Sequence, residues 1–149
     1  MAQIDKIQRK EFEAQIVKEL LGAPYLYKGR DAKGTDCWGL LLIVYKMAGV
    51  GLFDIPSIEY NDKDWSKKGG NFLAENLWRD WQKVEHPEFL DAILFNTEGG
   101  APNHCGVMLR DGKFIHCGNH GVQVARLSET KKTRTVAGYY RLKPLYDDF

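Results

Sequence analysis

The chain has 149 residues, of which 44% are hydrophobic and 28% are charged, and its formal net charge is +1. This length suits a single domain with a substantial core, and the near-neutral charge argues against nucleic acid or a membrane surface as a partner. The longest apolar run, Leu40 to Val44, is too short to span a bilayer. Three cysteines favour reduced thiols over a disulfide framework. Since the first residues do not resemble a secretory leader, we expect the protein to be made in a cytosol.

A first helix is predicted from Ile7 to Leu21. Phe12, Ile16 and Leu20 recur at a spacing of four, which places them on one face of that helix. The charged residues between them, including Glu13, are expected at the surface. A glycine and a proline directly after the segment end the helix.

A second helix is predicted to begin at a cysteine. The run Thr35-Asp36-Cys37-Trp38-Gly39 leads into an apolar segment, with Thr35 or Asp36 as N-cap and Gly49 at the end. Unpaired N–H groups and the positive end of the helix dipole favour the thiolate form of a cysteine placed at a helix start. Because the segment is apolar nearly all round, we expect this helix to be buried.

The second half of the chain changes from helical to strand-like patterns. Phe72 to Val84 has apolar residues at helical spacing, which predicts a third helix. Short β-type runs follow from Asp91 onward: Ala92 to Phe95, Cys105 to Leu109, Lys113 to Cys117, Val122 to Ala125 and Ala137 to Leu142. Helices first and an antiparallel meander afterwards indicate an α+β fold. We expect one domain over residues 1–149, with the N-terminal helices packed on a C-terminal antiparallel sheet of about five strands.

Two histidines lie on neighbouring predicted strands, and the turn between those strands decides whether they can meet. With a two-residue Asp111-Gly112 loop, His104 and His116 point to opposite faces. With a three-residue Arg110-Asp111-Gly112 loop, in which the glycine is left-handed in a G1 bulge, the two histidines share a face.

The apolar pattern favours the three-residue loop. In that register one face carries a coherent apolar set and the other carries the histidines, whereas the two-residue loop would split the set between faces. The apolar set is Cys105, Val107, Leu109, Ile115 and Cys117. Cys105 and Cys117 are then directly opposite each other, close enough to bridge under oxidation. They point away from the histidines, so we interpret them as core residues.

A thiol and an imidazole can act as nucleophile and base, and a second polar ring can orient the first. Cys37, His104 and His116 could instead bind zinc through one sulfur and two nitrogens. No Cys-x-x-Cys or His-x-x-x-His spacing accompanies them, so we favour the thiol–imidazole interpretation and expect neither a metal nor another cofactor. His86 and His120 lie in predicted loops and are expected at the surface.

Together these residues resemble the NlpC-type cell-wall cysteine peptidases, a papain-like family, over roughly Phe12 to Leu142. The run Asp36-Cys37-Trp38-Gly39 is similar to the nucleophile motif, and His104-Cys105-Gly106-Val107 is similar to the family's His-Val-Gly-Ile. The resemblance implies that Cys37 is the nucleophile, His104 the base and His116 the orienting residue. It also implies a peptidoglycan stem-peptide substrate, cleaved next to a D-glutamyl or diaminopimelyl residue.

The resemblance extends to the start of the matched region. Gly22-Ala23-Pro24-Tyr25 is similar to the family's Gly-x-Pro-Tyr segment, which implies that the Tyr25 hydroxyl helps to stabilise the oxyanion with the Cys37 backbone N–H. Asp36 is assigned to the same oxyanion and substrate-binding group. One departure is Phe89-Leu90-Asp91, where the family usually has Pro-Gly-Asp before the first strand.

A second departure is Trp38, where the common family pattern has serine. Tryptophan is typical of the phage-tail branch, and the chain length and the lack of an export signal fit it. We therefore expect a phage tail-associated cell-wall hydrolase or tail assembly protein, made in the host cytoplasm and located in or on the virion tail, with other tail proteins as partners. The alternatives are a structural tail-tip component with a secondary or vestigial site, and a thiol acyltransferase.

Overall fold

The computed structural model describes residues 6–52, 81–96, 102–130 and 135–142. In chain order the elements are α1 (Lys6–Leu20), β1 (Arg30–Asp31), β2 (Gly34–Thr35), α2 (Cys37–Met47), β3 (Trp81–Val84), β4 (Ala92–Asn96), β5 (Pro102–Met108), β6 (Lys113–Gly118), β7 (Gly121–Arg126), α3 (Leu127–Thr130) and β8 (Thr135–Leu142). Within these ranges, no helix is long and apolar enough to cross a bilayer.

The main sheet is antiparallel and confirms the predicted α+β class. Within the described ranges it has six strands rather than about five, in the order β3-β8-β4-β5-β6-β7. Strands β4 to β7 form the expected meander. Strand β8 departs from it, because it returns to pair with β4 and carries β3 on its other side.

Strand β3 is the sixth strand, and it corrects the prediction of a helix from Phe72 to Val84. The last four residues of that segment, Trp81–Val84, pair with β8, while residues 72–80 lie outside the described part of the chain. Trp81 is buried and stacks on Tyr45 of α2, with ring centroids 5.2 Å apart. Pairing with β8 and packing on α2 outweigh the weak helical spacing of these four residues.

The N-terminal helix α1 buries Ile16 and Leu20 as predicted, but its charged residues are not all exposed. Glu13 is only 5% exposed, which contradicts its expected surface position. Its carboxylate accepts hydrogen bonds from the Arg110 backbone N–H at 2.7 Å and from the Lys113 Nζ at 2.8 Å. A buried carboxylate is tolerated here because the β5–β6 turn supplies its donors.

The sheet carries a different apolar cluster on each face. The larger one includes buried residues of α1, α2 and the helix-facing side of β4, β5 and β6. The smaller one lies on the opposite side and consists of Ile93, Phe95, Met108 and Phe114. Since side chains alternate along a strand, this division separates residues 105, 107 and 109 from residues 104, 106 and 108.

The β5–β6 register is the predicted one. Gly106 pairs with His116, Val107 with Ile115 and Met108 with Phe114. This is the register that places the two histidines on one face and the apolar set, including Cys105 and Cys117, on the other.

The turn that sets this register differs in one detail from the prediction. Asp111 and Gly112 both have positive φ, 58° and 70°, and the Lys113 N–H donates to the Arg110 carbonyl at 3.2 Å. The extra residue is therefore Arg110, not Gly112, because the Leu109 N–H already donates to the Lys113 carbonyl at 2.8 Å. The Arg110 N–H turns away from β6 and bonds to Glu13, so the bulge is stabilised from α1.

The turn before β4 contains the unusual Leu90. This residue has φ 72° although its side chain is 1% exposed. Its N–H donates to the Met108 carbonyl, and the Met108 N–H donates to the Asp91 carbonyl, both at 2.8 Å. Leu90 and Asp91 thus lie opposite the single residue Met108. This is the G1-bulge pattern, in which glycine normally takes the first position. The Tyr45 hydroxyl donates to the Leu90 carbonyl, and Arg141 binds both carboxylate oxygens of Asp91 at 2.9 and 2.7 Å.

Candidate active site

Cys37 is the first residue of α2, and it is 7% exposed. Asp36 is the N-cap, as predicted, and its side chain accepts from the Gly39 N–H at 2.7 Å. The same carboxylate accepts from the Lys28 N–H at 2.8 Å and from Arg30 Nη1 at 3.1 Å. Asp36 is itself 1% exposed, so these donors hold the start of α2 in a fixed position.

Gly39 is required because a loop crosses the helix at this point. A Cβ atom on Gly39 would overlap the Gly29 carbonyl oxygen and would lie 2.5 Å from the Thr35 Oγ1 atom. Glycine two residues after the cysteine therefore lets the loop that carries Arg30 reach Asp36.

The two histidines are in direct contact. His104 Nε2 lies 2.9 Å from His116 Nδ1, and the two rings are nearly perpendicular, at 86°. His104 is 9% exposed and packs near Phe95, while His116 packs near Phe114, so aromatic rings support both imidazoles from the same face of the sheet. The structure thus brings together the two histidines that the sequence separates by eleven residues.

Gly106 explains the spacing of the His-x-Gly motif. It lies opposite His116, and a Cβ atom on it would be 2.7 Å from the Ile115 carbonyl oxygen and 3.1 Å from the His116 Cβ. A larger residue at position 106 would push β6 away, and with it the ring that contacts His104.

Helix α2 meets strand β5 at Cys105, the residue next to His104. The Cys105 thiol donates to the Cys37 carbonyl, with Sγ and O 3.3 Å apart. Helix α2 packs on both β5 and β6, the strands that carry the histidines. Cys37 is therefore held beside the two strands that carry the imidazole pair.

Tyr25 lies beside the segment that precedes Cys37. Its backbone forms a parallel bridge with Thr35, and the Thr35 N–H donates to the Pro24 carbonyl at 3.1 Å. Tyr25 is half-buried against the main core. The predicted Gly-x-Pro-Tyr segment therefore lies beside Thr35, which is two residues before Cys37.

Sequence reasoning missed the residues that support the site from outside the motifs. Lys28 has φ 62° and contributes its N–H to Asp36, and Arg30 adds a cation to the same carboxylate. A buried aspartate needs donors, so Arg30 shortly before it was the available signal. His86 and His120 are exposed, as predicted. In the described part of the chain, no group of three or more His, Cys, Asp or Glu side chains could hold a metal ion.

The structure thus defines an α+β domain with a cysteine at a helix start, packed on an antiparallel sheet that carries a histidine pair. The NlpC/P60 family matches residues 22–141. The chain is 25% identical over 114 residues to the probable peptidoglycan endopeptidase LytE of Bacillus subtilis (strain 168), an alignment that covers 76% of this chain and 28% of LytE. It is 29% identical over 130 residues to murein DD-endopeptidase MepH of Escherichia coli (strain K12), covering 82% of this chain and 42% of MepH.

The fold is similar to solved structures of the same family. A lipoprotein-like NLP/P60 protein from Staphylococcus aureus subsp. aureus Mu50 superposes with a TM-score of 0.65, at 20% identity, over 95% of this chain and 43% of that one. The chain belongs to the NlpC/P60 family, and the predicted NlpC-type fold is confirmed. It spans less than half the length of the two curated relatives, which are named as a probable peptidoglycan endopeptidase and a murein endopeptidase.

Proposed function

We propose that this protein is a cysteine endopeptidase that hydrolyses amide bonds of peptidoglycan stem peptides, next to a D-glutamyl or diaminopimelyl residue. The observation that carries the proposal is the 2.9 Å contact between His104 and His116, on strands packed against the helix that begins at Cys37. Family membership and the two endopeptidase relatives support the substrate class.

The reaction uses the cysteine as nucleophile and His104 as proton carrier. His104 accepts the thiol proton, and the thiolate attacks the carbonyl carbon of the scissile amide. Collapse of the tetrahedral intermediate breaks the C–N bond, and His104 gives its proton to the leaving amine. Water, deprotonated by His104, then hydrolyses the thioester and regenerates the Cys37 thiol. No metal takes part in any of these steps.

His116 determines which nitrogen of His104 is basic. When His104 carries its proton on Nε2 and donates it to His116 Nδ1, its own Nδ1 becomes the proton acceptor. The perpendicular rings and their aromatic neighbours hold this orientation. His116 is therefore the orienting member of a Cys-His-His triad.

The oxyanion is stabilised at the start of α2. The Cys37 backbone N–H is one of the first N–H groups of the helix, which lack intrahelical partners, and the Tyr25 hydroxyl provides a second donor. Each such donor is typically worth about 10²–10³ in rate. Asp36 contributes to this group by fixing the helix start through its three hydrogen bonds, since its buried carboxylate is already occupied by protein donors.

The protein acts as a phage tail-associated hydrolase or tail assembly protein, made in the host cytoplasm and carried in or on the virion tail beside other tail proteins. Trp38 supports this assignment, because it replaces the serine of the common family pattern. Detection of the chain in purified virions by mass spectrometry tests it. Absence from virions that contain the other tail proteins would contradict it.

The activity is tested by incubating the purified protein with defined muropeptides and identifying the products by mass spectrometry. We expect new amine and carboxylate termini at one bond, and no product with Cys37→Ala. Adding a primary amine distinguishes hydrolysis from acyl transfer, because a transferase would yield an amide of the added amine. A correctly folded protein that cleaves no stem peptide would support the structural tail-tip alternative.

A further inference from the structure

Each histidine of the pair is followed directly by a buried cysteine. Cys105 follows His104 on β5, and Cys117 follows His116 on β6. The thiols are 0% and 1% exposed. Since adjacent side chains on a strand point to opposite faces, each strand carries an imidazole on one side and a thiol on the other.

Both thiols contact the backbone that brackets the nucleophile helix start. Cys105 Sγ lies 3.3 Å from the Cys37 carbonyl oxygen, and Cys117 Sγ lies 3.2 Å from the Thr35 carbonyl oxygen. A thiol is a weak donor, and both distances are well within the range for an S–H···O hydrogen bond. Cys117 Sγ also approaches the Gly118 carbonyl oxygen of its own strand, at a longer 3.7 Å.

Other hydrogen bonds to this segment come from the preceding loop. The Leu26 N–H donates to the Thr35 carbonyl at 2.9 Å, and the Asp36 carboxylate binds Lys28 and Arg30. These bonds fix the segment relative to its own loop. The thiol bonds instead join it to the two strands that carry the imidazoles.

We propose that Cys105 and Cys117 are positioning residues that set the distance between the nucleophile segment and the His104–His116 pair. This inference rests on the proposed function. A valine, which the family resemblance places at position 105, is somewhat larger and cannot donate to the Cys37 carbonyl. The Cys105 bond is therefore a feature of this chain rather than of the general motif. Misplacement of the reacting groups by a fraction of an ångström is sufficient to slow proton transfer.

The test compares variants that remove the thiol donor with variants that keep a donor. Cys105→Val and Cys117→Val remove the S–H group, and Cys105→Ser and Cys117→Ser retain an O–H donor. Val107→Ala is the matched control, because Val107 is fully buried on the same face of β5. The primary readout is the rate of Cys37 alkylation by iodoacetamide as a function of pH, resolved by peptide mass spectrometry.

We expect each valine variant to lower the alkylation rate at pH 7 about three- to tenfold and to move the pH profile of that rate toward higher pH. The kcat/KM on a muropeptide should fall by a similar factor, while KM changes little. The serine variants should recover a substantial part of the rate. Val107→Ala should lower the melting temperature and leave the profile unchanged. This contrast separates positioning from general packing.

Backbone hydrogen exchange over residues 35–42 gives a second readout that needs no reactivity. It should increase in the valine variants and not in the control. If a valine variant does not fold, Cys105→Ala or Cys117→Ala removes the donor without adding volume. Valine and alanine variants with wild-type profiles and wild-type exchange would overturn the proposal and leave the thiols as core residues. If wild-type Cys37 reacts no faster than a solvent-exposed thiol and no peptide is cleaved, the proposed function fails, while the exchange data still decide on the thiols.

Discussion

Individual residues of the site are constrained by what lies directly opposite them. Gly39 faces the Gly29 carbonyl, and Gly106 faces the Ile115 carbonyl and the His116 Cβ. In both places the close approach of a second backbone segment excludes any side chain. The glycines of the two motifs are therefore explained by packing, independently of catalysis.

Leu90 combines a buried side chain with a left-handed backbone conformation that normally favours glycine. A non-glycine residue in this conformation costs about 1–2 kcal/mol, whereas truncating a buried leucine costs about 2–5 kcal/mol. We expect Leu90→Ala to lower the free energy of unfolding by about 2–5 kcal/mol. Leu90→Gly should be about 1 kcal/mol less harmful than Leu90→Ala, because glycine removes the backbone strain. Urea denaturation measures the free energy of unfolding of both variants. A glycine variant less stable than the alanine variant would contradict the presence of backbone strain at Leu90.

The two histidines have different expected roles, and single substitutions distinguish them. His104→Ala should abolish turnover, because it removes the proton carrier. His116→Ala should impair kcat severely but less completely, and His116→Asn should recover part of the loss, since an amide can accept from the ring N–H. The controls are His86→Ala and His120→Ala, which change exposed residues. Equal damage from either control would refute the assignment.

At the level of elements, the β5–β6 hairpin determines whether a histidine pair exists. Its turn has Gly112 at φ 70° with no atom near the missing Cβ, so the constraint is conformational rather than steric crowding. Gly112→Val should reduce kcat/KM by more than its loss of stability explains, because a β-branched residue resists positive φ and favours a shifted register. Activity assays at a temperature where the variant remains folded, with Gly112→Asn as the tolerated control, measure this. A folded valine variant with wild-type activity would be inconsistent with it.

Helix α1 stabilises the same hairpin through Glu13. Burial opposes ionisation of this carboxyl, but hydrogen bonds from Lys113 and Arg110 outweigh it and hold its pKa below the ordinary 4.5. Because the pKa is lower in the folded than in the unfolded chain, the ionised carboxylate stabilises the fold above about pH 4.5. This contribution is lost as the pH falls through the lower folded pKa.

Glu13→Gln tests this contribution. We expect the variant to have a lower free energy of unfolding than the wild type at pH 7, and the difference to shrink as the pH falls below 4.5. Urea denaturation at pH 7, 5 and 3 measures it, with the exposed Glu11→Gln as the matched control on the same helix. A difference that is independent of pH would contradict the ionic role of Glu13.

At the scale of the whole molecule, the thiol–imidazole and zinc interpretations predict opposite effects of a chelator on activity. If Cys37 and His104 act as nucleophile and base, activity should survive dialysis against a strong chelator and be lost after treatment with a thiol alkylating agent. Muropeptide cleavage and elemental analysis of the dialysed protein provide the measurements. Loss of activity in chelator together with stoichiometric zinc would transfer the assignment to a metal site.

The sequence by itself determined the α+β class, the helix that begins at Cys37 with Thr35 or Asp36 as its cap, and the register that places His104 and His116 on one face. These depend on local patterns: apolar periodicity, capping chemistry and strand alternation along two neighbouring segments. Tertiary structure decided what depends on contacts between distant segments. Trp81 is part of a strand because β8 and Tyr45 lie beside it. Glu13 is buried because the β5–β6 turn, which is distant in sequence, supplies its hydrogen-bond donors. The thiol contacts to the Cys37 and Thr35 carbonyls belong to the same group, since no local pattern specifies which backbone atoms a buried side chain will meet.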